Sequence, residues 1–352
     1  MNREIAEHKA EHETMGREVS AAMNEESATL SQGTANPKAM TRATVRALCK
    51  LNTEFYERNA ASFSQTRTAP WEGWRRCMAA CGFDDSDGAA LDQPVDAQIA
   101  DSVLDIACGN LRFETFLASA YPPIDWSFFA VDNCEPLVAS GQEDIAKKVH
   151  FTCEDIVSNL LEGLPAAEPA NIPALAAATP FDLVVSFGFL HHIPSFDLRQ
   201  RFLLEALSQV KPGGYLVVSF WQFLNDPAKR AKIEQTHAEA LAFFAGCAET
   251  CANDRHALDR GANNARSGSP NSGDPTLGDR KSPVLDPSSL EPNDYFLGWE
   301  NQPGNYRYCH HFSGEEIDRI IAALAPHATV VESFSADGKP GNLNRYVILQ
   351  RR

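Results

Sequence analysis

The chain has 352 residues, of which 43% are hydrophobic, and a formal net charge of −16 at pH 7. The acidic balance argues against tight nonspecific binding to nucleic acid, because phosphate contacts need Lys and Arg. No apolar run is long enough to span a bilayer, and the start of the chain lacks a signal-peptide core. The odd cysteine count of nine favours a reduced, cytoplasmic protein over a disulfide scaffold.

Four segments are predicted to lie outside the core. Residues 1–40 form a polar, acidic tail, and 84–99 and 163–180 are insertions rich in Asp, Ala and Pro. Residues 252–293 are rich in Asn, Asp, Gly, Ser and Pro. Segments of this composition bury too little apolar surface to offset their chain entropy, so we predict that the tail and the 252–293 insertion are disordered. Residues 41–251 and 294–352 are predicted to form a single domain.

The first predicted element is a helical segment within residues 41–80, which runs from Val45 past Tyr56 towards Arg67 and is followed by Trp71 and Trp74. The two tryptophans are three residues apart, so they either pack this segment onto the sheet or border a site. The segment also carries a local excess of positive charge, contributed by Arg42, Arg46, Lys50, Arg58, Arg67, Arg75 and Arg76. A basic face is therefore predicted here, despite the acidic chain.

The second element is the stretch 103–110, which is typical of a buried strand that leads into a tight turn of small residues. The turn has the pattern Asp105-x-Ala107-x-Gly109, and the next apolar run, 128–131, ends in Asp132 and Asn133. A strand, a small-residue turn and a second strand followed by an acid is how α/β proteins hold a nucleoside. A turn that binds pyrophosphate needs three glycines, so this turn favours a ligand without phosphates.

Three more strands are predicted before residue 225. The third precedes Asp155 and Ile156, and the fourth, near 181–187, contains Ser186 and Phe187 and is followed by His191 and His192. An amphipathic helix with a Pro-Gly-Gly stop at 212–214 leads to the fifth strand, 214–220. The end of the chain holds a Tyr306–Phe312 motif, a helix opened by a capping box at 313–316, and a hairpin of 329–334 with 345–350.

The pattern D-x-[GA]-x-G, followed by an acid at the end of the next strand, resembles motifs I and II of class I S-adenosylmethionine (SAM) methyltransferases. The resemblance implies an α/β fold: a Rossmann-like, doubly wound sheet of seven strands with a C-terminal antiparallel hairpin. It implies SAM as cofactor, with Asp132 at the ribose, Gly109 at the methionyl part, and Asp155 and Ile156 beside the adenine. The cofactor-binding residues that we predict are Tyr56, Arg67, Asp105, Ala107, Gly109, Asp132, Asn133, Asp155, Ile156, Ser186 and Phe187.

A second resemblance concerns the acceptor. The pattern F-Y-x-x-x-A-x-x-F-S-x-T-R-x-x-P-W is similar to the opening of the tRNA wobble carboxymethyluridine methyltransferases, and the Tyr306–Phe312 motif is similar to their C-terminal segment. This implies methylation of an oxygen of a tRNA wobble uridine, with tRNA as partner. The sequence departs from that family at Ala107 and Leu111, where the family has glycine. The alternatives are a small-molecule O- or N-methyltransferase and a non-catalytic SAM-fold partner subunit.

The catalytic residues that we predict are His191 and Arg307. A carboxylate acceptor is already ionised at pH 7 and needs a cation to hold it, which Arg307 or Arg67 can supply. A hydroxyl acceptor needs a base, which is the role open to His191, unless the histidine pair only shapes the pocket. Methyl transfer in this class needs no metal, so we predict none, although Cys77/Cys81, Cys247/Cys251 and His310/His311 contain metal-ligating groups. Tyr306, Tyr308 and Phe312 belong either to the core or to the site.

Overall fold

A computed structural model of the protein describes residues 40–83, 102–164, 180–261, 285 and 287–352, with the backbone alone from 248 to 261. The predicted disordered tail and the insertion 84–99 therefore lie outside the described residues, as do most of the insertions 163–180 and 252–293. Among the helices that are described, none combines the length and the apolar character needed to cross a bilayer.

The core of the fold is a seven-stranded sheet. Its strands are β1 Ser102–Ile106, β2 Ser127–Asp132, β3 Val149–Cys153, β4 Phe181–Ser186, β5 Val210–Trp221, β8 Ala328–Ala336 and β9 Asn344–Arg351. They lie in the order β3-β2-β1-β4-β5-β9-β8, with the first five parallel and β9 antiparallel between β5 and β8. The strand order reverses between β1 and β4, and ligands of open α/β sheets bind at such a point. The predicted fold class and its C-terminal hairpin are confirmed.

Nine α-helices are described around this sheet and beside it. They are α1 Arg42–Gln65, α2 Glu72–Ala80, α3 Arg112–Ala120, α4 Glu135–Val138, α5 Glu143–Ala146, α6 Ile156–Glu162, α7 Phe196–Ser208, α8 Pro227–Gly261 and α9 Gly314–Leu324. The predicted N-terminal helix is α1, which begins after Thr41, whose hydroxyl accepts a hydrogen bond from the amide of Thr44 at 3.1 Å. Ser313 caps α9 in the same way through the amide of Glu316, as the capping box predicts.

A second, two-stranded antiparallel sheet consists of β6 Asp294–Gly298 and β7 Tyr306–His310 and packs against α1. The Asn52 side chain joins α1 to β7, because it accepts from the amide of Tyr308 at 2.8 Å and donates to the carbonyl of Tyr308 at 3.2 Å. Tyr306 and Tyr308 are buried in a cluster with Leu48 of α1, and Phe312 is buried in the main core. These three aromatic residues therefore belong to the core, which was one of the two alternatives.

Two boundaries differ from the sequence prediction. Strand β5 begins at Val210, before the Pro-Gly-Gly stop, and Gly214 allows this because a Cβ there would lie 2.6 Å from the carbonyl oxygen of Asp182. Within the predicted insertion 252–293, α8 continues to Gly261 and Leu285 is buried against the small sheet. The disorder of the insertion stays a prediction, because residues 262–284 lie outside the described part of the chain.

We expect Gly73→Ala to destabilise the protein by about 1–3 kcal/mol, the usual cost of overpacking. A Cβ at Gly73 would lie 2.2 Å from Cε2 of the Tyr346 ring, which is buried in the core. Urea unfolding measures the effect. The matched control is Gly246→Ala on α8, where an added Cβ meets no atom within 4 Å of it. Because alanine favours helix, that variant should be as stable as the wild type or more so, and an equal loss in both variants would contradict the packing argument.

Candidate active site

A cavity of about 330 Å³ lies at the carboxyl ends of the parallel strands, beside α1. This volume is in the range of small-molecule sites, roughly 300–1,000 Å³. The structure brings both predicted catalytic residues and all but one of the predicted cofactor-binding residues to its wall: Tyr56, Arg67, Asp105, Ala107, Gly109, Asp132, Asn133, Asp155, Ile156, Phe187, His191 and Arg307. The exception is Ser186, whose buried hydroxyl donates to the carbonyl of Ile106 at 2.9 Å. Ser186 therefore ties β4 to β1 and is not part of the cavity wall.

The turn after β1 uses three left-handed residues. Ala107, Gly109 and Leu111 have φ angles of 65°, 57° and 57°, respectively. This conformation costs non-glycine residues of order 1–3 kcal/mol each. The cost is the physical reason for the glycines that the wobble carboxymethyluridine methyltransferases have at the positions of Ala107 and Leu111. The turn keeps its form here because the surrounding structure holds it, including the burial of Leu111.

Asp132 holds this turn against the loop that follows β2. Its carboxylate oxygens accept hydrogen bonds from the amides of Gly109 and Cys134, each at 2.9 Å. Burial raises the pKa of Asp132, and these amide hydrogen bonds oppose the shift. Each oxygen keeps a second lone pair, so the predicted contact with a ribose is compatible with this bracing role.

Asp155 is the N-cap of α6. Its carboxylate accepts from the amide of Ser158 at 3.0 Å and from the hydroxyl of Ser158 at 2.8 Å. The side chain is therefore occupied with capping, a use that the sequence analysis did not foresee. The residue and its neighbour Ile156 line the cavity, and their role beside the adenine stays a prediction.

The two adjacent histidines have different surroundings. His192 is fully engaged, because Nδ1 lies 2.9 Å from the carbonyl of Tyr308 and Nε2 lies 2.7 Å from the hydroxyl of Tyr56. Because a carbonyl oxygen only accepts hydrogen bonds, Nδ1 carries the proton and Nε2 accepts a hydrogen bond from the hydroxyl of Tyr56. Burial lowers the pKa of His192 to about 3, and the nearby charge of Arg307 acts in the same direction. His192 is therefore a neutral link between α1, the cavity and β7.

His191, by contrast, has an Nδ1 atom without a hydrogen-bond partner among the described residues. Its ring lies against Trp221 at 4.7 Å between centroids. Burial lowers the pKa of His191 well below 6.5, and the neighbouring His192 and Arg307 lower it further. The imidazole is consequently neutral at physiological pH, and the residue lines the cavity.

Two arginines and a set of aromatic rings make another part of the wall. Arg307 is only 6% exposed, and its Nε and Nη1 atoms have no hydrogen-bond partner in the part of the chain that is described. Its guanidinium carbon lies 4.8 Å from the centre of the Phe55 ring, and that of Arg67 lies 3.5 Å from the centre of the Phe63 ring. Burial lowers the pKa of Arg67 to about 10, and the charge of Arg307 adds to the shift. This wall suits an anionic group.

Several cavity residues escaped the sequence analysis, among them Asn52 and Trp221. Asn52 precedes Tyr56 by one helical turn on α1, and this spacing is the signal that would have placed it on the same face. Trp221 ends β5, whose carboxyl end meets the cavity beside β4. Both Trp71 and Trp74 also line the cavity, and Trp74 is at the same time part of the core.

Two groups of metal-ligating side chains are close together in the described residues, and several of their ligand atoms are already hydrogen-bonded or paired with a charge. In the group of His191, His192 and Cys309, both nitrogens of His192 are hydrogen-bonded. In the group of Glu291, Asp294 and His310, the histidine bonds Asp294 and Glu316, and Arg199 pairs with Glu291. Cys77 and Cys81 are buried in an apolar cluster, and the side chain of Cys251 lies outside the described residues.

Residues 103–214 match the sequence model of a family described as a methyltransferase domain. No curated protein matches the chain. One similar solved structure is a SAM-dependent methyltransferase of Methanosarcina mazei, with 16% identity, coverage of 72% of this chain and 92% of that chain, and a TM-score of 0.41. Another is the 1,6-didemethyltoxoflavin-N1-methyltransferase of Burkholderia thailandensis, with 13% identity, coverage of 90% and 93%, and a TM-score of 0.46. These identities and TM-scores do not indicate which acceptor this chain methylates.

From its matched segment and its strand order, the chain is an enzyme of the methyltransferase class, with the fold of class I SAM-dependent methyltransferases.

Proposed function

We propose that this methyltransferase uses SAM to methylate a carboxylate oxygen of its acceptor. The observation that carries the proposal is Arg307, a buried residue of the cavity wall with two guanidinium nitrogens that have no hydrogen-bond partner among the described residues. An unpaired buried charge is costly, and a carboxylate is a strong acceptor for an arginine N–H group because the hydrogen bond is charge-assisted.

The cavity residues fit SAM, which supplies an electrophilic methyl group on a sulfonium. Oδ1 of Asp105, a residue only 3% exposed, has no hydrogen-bond partner in the described chain and suits the ammonium of the methionyl part. Asp132 has free lone pairs for the ribose hydroxyls, and the single-glycine turn suits a ligand without phosphates. The cofactor is therefore SAM, as the sequence predicted.

The state of His191 supports a carboxylate acceptor over a hydroxyl acceptor. A hydroxyl needs a base whose pKa lies near the working pH, whereas the pKa of His191 is lowered well below 6.5. A carboxylate, with an ordinary pKa of about 4, is ionised without any base. The same positive charge on Arg307 that weakens His191 as a base favours an anionic acceptor, so both observations point to a carboxylate.

The residues of this chain act mainly by alignment. Arg307 holds the acceptor carboxylate, and the hydrogen bonds from His192 to Tyr56 and to the β7 backbone keep α1 and β7 in a fixed relation. Trp71 and Phe187 cover the cavity beside the turn and exclude water. Alignment of this kind is the largest contribution that an enzyme can make when the leaving group is already good.

Two kinds of acceptor carry a suitable carboxylate. The resemblance to the wobble carboxymethyluridine enzymes supports tRNA. A small carboxylic acid is the second candidate, because acids already pair with part of the predicted basic face: Arg46 with Glu162, Lys50 with Glu54 and Arg76 with Glu332. The described cysteine side chains are all free thiols, which supports the proposal of a cytoplasmic enzyme.

Incubation with methyl-labelled SAM, first with bulk tRNA and then with a panel of small carboxylic acids, tests the proposal. We expect label in a methyl ester, which alkali releases as methanol. Nucleoside analysis of the tRNA then separates the two acceptors. Label that resists alkali, in whichever pool it appears, would contradict carboxylate methylation.

Asp132→Ala should weaken SAM binding by about 1.5–3 kcal/mol, the scale of hydrogen bonds to a charged group. The variant loses both the predicted ribose acceptor and the brace on Gly109. Calorimetric titration with SAM measures the change, and the exposed Asp125→Ala provides a control with the same change in charge. Unchanged affinity in the Asp132 variant would remove it from the cofactor site.

A further inference from the structure

Two buried carboxylates near the turn after β1 lack partners among the described residues. Asp105, near the end of β1, lines the cavity and is 3% exposed, while Glu114, in the first turn of α3, is completely buried. Within the described residues, Oδ1 of Asp105 has no hydrogen-bond partner, and neither oxygen of Glu114 meets one in another residue. Buried carboxylates are normally paired or hydrogen-bonded, so this arrangement lacks a cation or a proton.

The charged groups around the pair supply that cation only in part, because the charge of Arg112 opposes the rise in the pKa of Asp105 without forming an ion pair with it. Asp132, from β2, adds a third acid, and the thiol of Cys108 also lies close. Arg112 of α3 is the nearby cation, but it donates to the carbonyl of Ala69 at 3.0 Å and lies over the rings of Trp71 and Trp74. No ion pair joins Arg112 to either carboxylate among the described residues.

Burial, reinforced by Glu114 and Asp132, raises the pKa of Asp105 well above its ordinary value. Burial raises the pKa of Glu114 to about 8. Because the charge of Glu114 acts on Asp105, the two acids titrate as a unit, and the proton belongs to the pair and not to one residue. The pair therefore retains a proton at neutral pH when no cation is bound.

We propose that Asp105 and Glu114 share a proton in the free enzyme and release it to solvent when the cationic methionyl end of SAM binds. Glu114 is then a positioning residue that acts through Asp105 and sets the pH range in which the cofactor binds. The inference rests on the proposed function, namely that this cavity holds SAM. A cation within about 4–6 Å favours the charged form of a carboxyl group, which is why binding expels the proton.

The sign of the pH dependence follows from this linkage. SAM binds the deprotonated pair, so its affinity should rise with pH until the pair is ionised, by at most tenfold per pH unit for one proton. The folding stability of the free enzyme should change with pH in the opposite direction. The folded pair holds a proton that the unfolded chain has released above pH 5, so its contribution to stability should fall between about pH 5 and pH 8.

Calorimetry of SAM binding at pH 6.5, in two buffers with different heats of ionisation, counts the released protons. We expect the wild type to release a measurable fraction of one proton and Glu114→Gln to release less than half as much. Glu205→Gln is the matched control, because Glu205 is a largely buried acid with a raised pKa on α7, away from the cavity. The α-amino group of SAM titrates near pH 8 in every titration, so the difference between proteins isolates the pair.

The outcomes distinguish the shared proton from SAM binding itself. Binding of SAM to the wild type without proton release would overturn the inference and leave the proposed function standing, as would equal release by the wild type and Glu114→Gln. Failure of the wild type to bind SAM would overturn both. If Glu114→Gln does not fold, Asp105→Asn and the pH dependence of wild-type unfolding decide, and a wild type whose stability does not fall between pH 5 and pH 8 would contradict the shared proton.

Discussion

Arg199→Met is expected to destabilise the protein by about 3–5 kcal/mol, the typical cost of removing one partner from a buried charge network. Arg199 is 1% exposed and pairs with Glu291 at 2.6 Å and Glu316 at 3.2 Å. It also donates to the carbonyl of Ile193 at 3.0 Å. Methionine fills a similar volume without charge, so both carboxylates would remain buried with less compensation.

The network matters because it joins α7, α9 and the start of the small sheet. His310 lies in it between Asp294 at 2.7 Å and Glu316 at 2.8 Å, and it is on the same strand as Arg307. Urea unfolding measures the loss of stability. Arg201→Met on the same helix is the control, because Arg201 is 28% exposed at its side chain and 4.0 Å from Glu205, and such pairs contribute about 1 kcal/mol or less. Similar losses in the two variants would contradict the burial argument.

Arg307→Ala should lower kcat/KM by about tenfold or more, which corresponds to a charge-assisted contact of about 1.5–3 kcal/mol. His191→Ala should have the smaller effect, because a carboxylate acceptor needs no base and the ring only shapes the cavity. The pH–rate profile of both variants should lack a limb near pH 6.5 attributable to histidine, as should that of the wild type, since the pKa of His191 is already lowered well below that value.

Initial rates on any accepted substrate, measured from pH 5.5 to pH 8.5, check this prediction. Arg307→Lys keeps the charge and loses the planar guanidinium, so its rate should fall between those of the wild type and Arg307→Ala. Arg58→Ala is the control, because Arg58 is also on the basic segment but donates to Asn305. A dominant loss in His191→Ala with an intact Arg307→Ala would instead support a hydroxyl acceptor.

Sequence alone was sufficient for the parallel strands and the cofactor turn. Apolar periodicity is a local property, and it indicated the runs that form β1 and β2 and the position of the third strand before Asp155. The spacing of Asp105, Gly109 and Asp132 is also local, since each follows or ends a strand of a parallel sheet and so reaches the same edge. For the same reason, nearly all of the predicted cofactor residues line the cavity.

The tertiary structure decided how the individual side chains are used. Ser186 faces β1 instead of the cavity, and His192 is locked by Tyr56 and Tyr308 while its neighbour His191 keeps a free nitrogen. Burial without hydrogen-bond partners among the described residues is what singles out two nitrogens of Arg307 and the carboxylate of Glu114. These properties depend on residues far apart in the chain, such as Asn52 and Tyr308, which are separated by 256 positions. Sequence patterns describe neighbours along the chain, whereas pKa shifts and unpaired polar atoms arise from neighbours in space.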